Sequence, residues 1–140
     1  MWKISRRRER FFYHQLDITD EVSIAALVDY IKKTFKKFDY LVNNAGYSSK
    51  GRDFNEEIYE KTYKVNYNST INFTEKLFGT IKKNGKIIFV TSKSGTLSKL
   101  KNDNLISIFK YSKNVDDILK LREKIQKNHT WRKNWSWWMI

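Results

Sequence analysis

Ile24, Leu27, Val28, Ile31 and Phe35 follow one another at offsets of 3, 4, 7 and 11, which lays an apolar stripe along an amphipathic helix over 20–37. The opposite face of that helix carries lysines, and Asp17-Ile-Thr-Asp20 supplies turn and capping residues in front of it. Upstream, Phe11-Phe-Tyr-His-Gln-Leu16 is dense in aromatics and reads as a strand. Downstream, Asp39-Tyr-Leu-Val-Asn43 is a short apolar run halted by Asn44-Ala-Gly46, and it reads as a buried strand ending in a loop.

A second helix opens at Asn55-Glu-Glu, a capping side chain followed by acids in the first turn, and can run to Lys83 before Asn84-Gly85 ends it. Lys86-Ile-Ile-Phe-Val-Thr91 is the third strand. Beyond Gly95 the chain is polar to Asn104. Leu105, Ile108 and Phe109 then mark one short helix, and Ile118, Leu119, Leu121 and Ile125 another. Residues 129–140 show no usable period. Strand, helix, strand, helix, strand is an α/β alternation, which predicts a parallel sheet covered by helices on both faces.

The chain has 140 residues, enough for one domain, and 40% of them are hydrophobic, which excludes an ordinary disordered polymer. Without cysteine there is neither a disulfide framework nor a thiolate zinc site, and His14 and His129 offer no metal-ligand spacing. No metal is expected. No apolar run is long enough to span a bilayer and the start carries no signal-peptide core, so a cytoplasmic protein without a membrane partner is the expectation.

The 28 Lys and Arg against 15 Asp and Glu are scattered along the chain, so the formal charge of +13 reads first as a solvated basic surface. Arg6-Arg-Arg-Glu-Arg10 and the Trp-rich stretch 131–138 interleave cations and aromatics as single-strand binders do, but no nucleic-acid motif accompanies them. Asn68-Ser-Thr70 and Asn72-Phe-Thr74 fit the glycosylation pattern, which carries no meaning without secretion.

Phe12-Tyr-His-Gln-Leu-Asp-Ile-Thr-Asp20, Phe38-Asp-Tyr-Leu-Val-Asn-Asn-Ala-Gly46, Lys64-Val-Asn-Tyr67 and Phe89-Val-Thr-Ser92-x-x-Gly95 stand in an order that resembles the classical short-chain dehydrogenase/reductases. The likeness is greatest to their carbonyl-reductase branch, and residues 96–128 look like that branch's helical insertion. The resemblance implies a partial Rossmann-like, doubly wound parallel sheet over 11–130, incomplete at both ends, with 1–10 and 131–140 foreign to the family. It implies hydride transfer from NADPH to a ketone or aldehyde. On the same likeness Ser92 holds the substrate carbonyl, Asn66 orders a proton-relay water, Asp17 meets the adenine amino group, and Asn43, Asn44, Ala45 and Gly46 face the cofactor ribose. Physically, a carboxylate and a small-residue turn at the carboxyl ends of parallel strands suit that task. Asn66, seven residues from both Tyr59 and Phe73, falls on the stripe expected to face the sheet.

Three parts of the family pattern have no match. No Gly-rich phosphate turn precedes Gly46, and none of the eight tyrosines has Lys four residues on. Tyr111-Ser-Lys113 has a spacing that cannot put both groups on one helical face. The segment that would separate NADP from NAD is also unmatched, so either dinucleotide stays open. The expectation is an internal segment of a reductase, inactive on its own, with an open sheet edge that invites self-association. The alternative is a noncatalytic interaction module or a basic nucleic-acid-binding remnant.

Overall fold

The computed structural model describes residues 11–49, 55–99 and 103–114, with 116, 117, 119, 120 and 123. Helix α1, Glu21–Thr34, begins where the Asp20 carboxylate accepts the Val22 and Ser23 amides at 3.0 and 3.3 Å, a cap worth about 1 kcal/mol. It ends before the expected Lys37 because Lys36 turns into the left-handed region at φ 63°. The Lys36 amide folds back onto the Ile31 carbonyl at 3.1 Å. Ile24 anchors the apolar stripe in the core, with Leu27, Val28 and Ile31 packed beside it. Phe35, expected on the same stripe, stays exposed.

The aromatic segment 11–16 forms no strand. Two of its rings settle against α1 and its C-cap instead: Phe12 meets Phe35 edge-on and His14 tilts against Tyr30, both at centroid distances of 5.0 Å. Strand propensity acts through packing against a neighbouring strand. Among the described residues only β1, Phe38–Asn43, and β2, Ile81–Phe89, pair, and they do so in parallel.

A parallel pair needs a crossover, supplied by α2, Glu56–Tyr63, a π-helical segment, Lys64–Ser69, and α3, Thr70–Phe78. The expected start is observed, with the Asn55 side chain accepting the Ile58 amide at 2.9 Å. The single helix to Lys83 is not. Its middle widens into the π segment, where Thr70 Oγ1 donates to the Val65 carbonyl at 3.1 Å. Its end comes at Phe78, where buried Thr80 turns both its amide and its hydroxyl to the Leu77 carbonyl, at 2.8 and 2.6 Å.

Ile81 therefore begins a strand instead of extending a helix. Phe38 pairs with Ile81 and Tyr40 with Lys86, so Lys82 to Gly85 bulge out of the ladder. Asn84-Gly85 lies inside β2 and stops no helix.

Ile18, Ile24, Leu41, Phe73 and Leu77 form the buried core between the sheet, α1 and α3. Side chains alternate across a strand, and the face opposite Leu41 is bare: Tyr40, Val42, Ile88 and Val90 are exposed. Coverage on both faces is thus corrected to one among the described residues. Past β2 come two 3-10 turns, Lys93–Gly95 and Leu97–Lys99, and α4, Asp103–Tyr111, which has no fully buried residue. The expected helix at Ile118–Ile125 falls mostly outside the described residues, and His129, 1–10 and 131–140 fall wholly outside them.

Candidate functional site

Both strands end on the same side of the sheet, and a cleft of about 340 Å³ opens there. Loop 44–48, the chain after β2 at 90–92 and one side of the π segment form its walls. The carboxyl ends of parallel strands are where connecting loops diverge and where such sheets bind ligands.

Asn43, Asn44, Ala45, Gly46, Asn66 and Ser92 all line this cleft, although the first and last of them are far apart in sequence. Asn43 is buried, and its Nδ2 donates to Thr74 Oγ1 at 2.9 Å while Thr74 donates to the Thr70 carbonyl at 2.7 Å. Its side chain therefore ties β1 to α3. Its main-chain carbonyl joins the strands by accepting the Val90 amide at 2.9 Å. Gly46 has no positive φ, and a Cβ there would meet Asn66 Oδ1 at an ordinary 3.5 Å. The backbone does not demand glycine at this position, and the small residue leaves the cleft wall open.

Asn66 does not lie deep against the sheet. The π segment sets it half-buried at the rim, and it clamps the main chain of Tyr47: Oδ1 accepts the Tyr47 amide at 2.7 Å and Nδ2 donates to the Tyr47 carbonyl at 3.0 Å. Lys61 Nζ stands 4.5 Å from the centroid of the Tyr47 ring, within cation–π range. Beneath, Tyr59, Tyr63 and Tyr67 run as a ladder of rings, and burial pushes the Tyr67 phenol pKa up. Ser92 sits exposed at the mouth, and its carbonyl accepts the Gly95 amide at 3.1 Å, which opens the turn that follows.

Asp17 lies outside the lining. Its carboxylate accepts both the amide and the hydroxyl of Thr19 at 2.8 Å. These bonds, with the charge of Lys64, hold its pKa below the usual carboxylate range. A lowered carboxyl pKa stabilises the fold above the unfolded value, and the contribution is lost as pH falls through the folded one. Carboxyl NMR should therefore find Asp17 titrating below an ordinary aspartate, and Thr19→Val should raise it; an unchanged titration in that variant would contradict the assignment.

Sequence reasoning missed Tyr47, Ser48, Thr70 and the run Phe89 to Thr91 as cleft residues. Thr70 was within reach, because it stands four residues after Asn66 and so on the same helical side. Among the described residues no group of acids and histidines could hold a metal, and no helix is long and apolar enough to cross a membrane.

A parallel pair joined by helices, with its cleft at the strands' carboxyl ends, defines a partial Rossmann-like α/β domain. A model of the short chain dehydrogenase family matches residues 1–105, and the chain belongs to that family. Salutaridine reductase of Papaver somniferum is 33% identical over 135 residues, covering 71% of this chain and 43% of that protein. Carbonyl reductase (NADPH) 1 of Bos taurus is 40% identical over 83 residues, covering 57% of this chain and 30% of that protein. The solved structure of the Papaver enzyme superposes with a TM-score of 0.69 at 27% identity, over 86% of this chain and 55% of the other. The chain thus spans less than half the length of these curated relatives.

Proposed function

We propose that this chain carries the carbonyl-holding and cofactor-facing part of a reductase that moves hydride from NADPH to a ketone or aldehyde. One observation carries the reading: Asn43 to Gly46, Asn66 and Ser92 line a single cleft at the carboxyl ends of a parallel pair. The walls suit part of a dinucleotide, since the described lining residues hold amides, hydroxyls and apolar groups without a charged side chain among them. Such a surface matches a ribose and a carboxamide, while a pyrophosphate needs amides or cations from elsewhere.

Bound NADPH supplies the hydride. Ser92 would donate its hydroxyl to the substrate carbonyl oxygen and fix its direction. Asn66 keeps the wall behind Gly46 in place through its clamp on Tyr47 and would order a water in the relay. Asn43 to Gly46 would hold the ribose, and Asp17, ionised and exposed, would accept from the adenine amino group. NADPH in preference to NAD, a small carbonyl substrate and a cytoplasmic site belong to the same proposal, as does a domain spanning 11–130.

No tyrosine in the chain has a lysine four residues on, so the helical Tyr-x-x-x-Lys pair that would protonate the reduced oxygen is not among these residues. The expected outcome for the untagged chain with an aromatic ketone or a quinone is NADPH consumption at the buffer rate, alongside weak saturable binding. Sustained turnover would overturn the first half of that statement, and absence of saturable binding the second.

A further inference from the structure

Charge that is scattered along the sequence is gathered by the topology. The α1–β1 and α3–β2 connections both lie at the amino edge of the sheet, opposite the cleft. Phe38 pairs with Ile81 there, so Lys36 and Lys37, just before that pair, and Lys82 and Lys83, just after it, all lie within two residues of one rung, with Lys86 a step further along β2. All five are exposed. At this edge Asp39 is the acid placed among them, and it engages Lys82 at 2.9 Å.

Lysines at helix carboxyl ends also complement the helix dipole, but that effect fades within the last turn. Lys36 and Lys37 lie beyond α1, and Lys82 and Lys83 ride on the bulge of β2. Lys36 moreover adopts a left-handed φ of 63°, where glycine or asparagine is the unstrained choice. Tyr40, paired in register with Lys86, is 64% exposed on the bare face of the sheet, and Phe78, at the end of α3, is 68% exposed. Cations that track a phosphate backbone beside exposed ring faces are the components of a single-strand platform.

We propose that this amino edge binds single-stranded nucleic acid, with Lys36, Lys37 and Lys83 meeting phosphates and Tyr40 stacking on a base. The surface is separate from the cleft, so neither proposal depends on the other.

The test uses the full chain and labelled single-stranded RNA and DNA oligonucleotides, followed by fluorescence anisotropy at several salt concentrations. Lys36→Gln, Lys37→Gln and Lys83→Gln together leave the Lys82–Asp39 pair intact. They are expected to weaken binding at least about tenfold and to flatten the log–log salt slope by roughly 2. The matched triple Lys110→Gln, Lys113→Gln and Lys120→Gln removes the same charge elsewhere and should change affinity less than about threefold. Tyr40→Ser should cost about tenfold for oligonucleotides and leave heparin binding unchanged.

Lys36→Gly should weaken binding without lowering Tm, which separates lost contact from lost fold. RNA and DNA arms that agree assign the backbone and base faces as the ligand. A preference for one strand type assigns the sugar as well. Equal losses from the two lysine triples, or a Tyr40→Ser effect as large on heparin as on oligonucleotides, would overturn the proposal in favour of diffuse charge.

Discussion

Gly85→Ala is expected to lower the unfolding free energy by about 3 kcal/mol, the upper range for forcing atoms into a filled space. A Cβ at Gly85 would lie 2.5 Å from Ile81 Cγ2, 2.7 Å from the Asp39 carbonyl and 3.0 Å from the Lys82 carbonyl. Two of these neighbours are main-chain oxygens of the paired strands, so the clash cannot be relieved by a rotamer. The bulge must open, and the pairing of Phe38 with Ile81 goes with it. In a chain of this size the loss corresponds to a fall in Tm of about 10 °C. Gly79→Ala is the matched control: its φ is −66° and a Cβ there meets nothing within 4 Å. Thermal unfolding of the two variants should separate them clearly, and equal Tm values would remove the steric account of the bulge.

Asn66→Leu is expected to cost about 2–3 kcal/mol, because two main-chain partners at Tyr47 lose their bonds in a half-buried place. Asn66→Asp should fall between, since it keeps the acceptor for the Tyr47 amide but faces a carboxylate to the Tyr47 carbonyl. Hydrogen exchange at the Tyr47 amide is the direct readout: fast in the Leu variant, slower in the Asp variant, slowest in the parent chain. Unchanged protection in Asn66→Leu would mean that the loop is held by something other than the clamp.

Local chemistry was legible where it was self-contained. Asp20 and Asn55 announced the starts of α1 and α2, and both side chains cap as their residue types predict. The stripe through Ile24 to Ile31 placed the buried side of α1. The failures came where tertiary partners decide. Phe11 to Leu16 has strand composition, yet no third strand pairs among the described residues, and two of its rings find α1 and its C-cap instead. Asn84-Gly85 looked like the stop of a helix running to Lys83, but Thr80 closes that helix earlier and Ile81 joins the sheet. The π segment has no pattern of its own in the sequence. It shows only in three dimensions, and it sets Asn66 at the rim.

For the site, the ordered motifs pointed to residues that the fold does bring together around one cleft, with Asp17 left outside the lining. Their reasons were less legible than their places. Small residues at 45 and 46 suggested tight backbone approach, whereas Gly46 sits at an ordinary φ with room for a methyl group. Asn66 suggested a water, and its amide is engaged with the Tyr47 main chain. Spacing identifies residues that converge, while the partner of each polar atom is set by how the loop between them closes.

The central claim is that the carboxyl-end cleft takes part of a nicotinamide dinucleotide. Its most direct test is an amide NMR titration of the uniformly labelled chain with NADPH. The account predicts saturable shifts concentrated at Asn44 to Ser48, the Asn66 side chain and Val90 to Ser92, with the amino edge at Lys36 and Lys82 unmoved. Shifts confined to that lysine edge, or spread evenly over the chain without saturation, would contradict it.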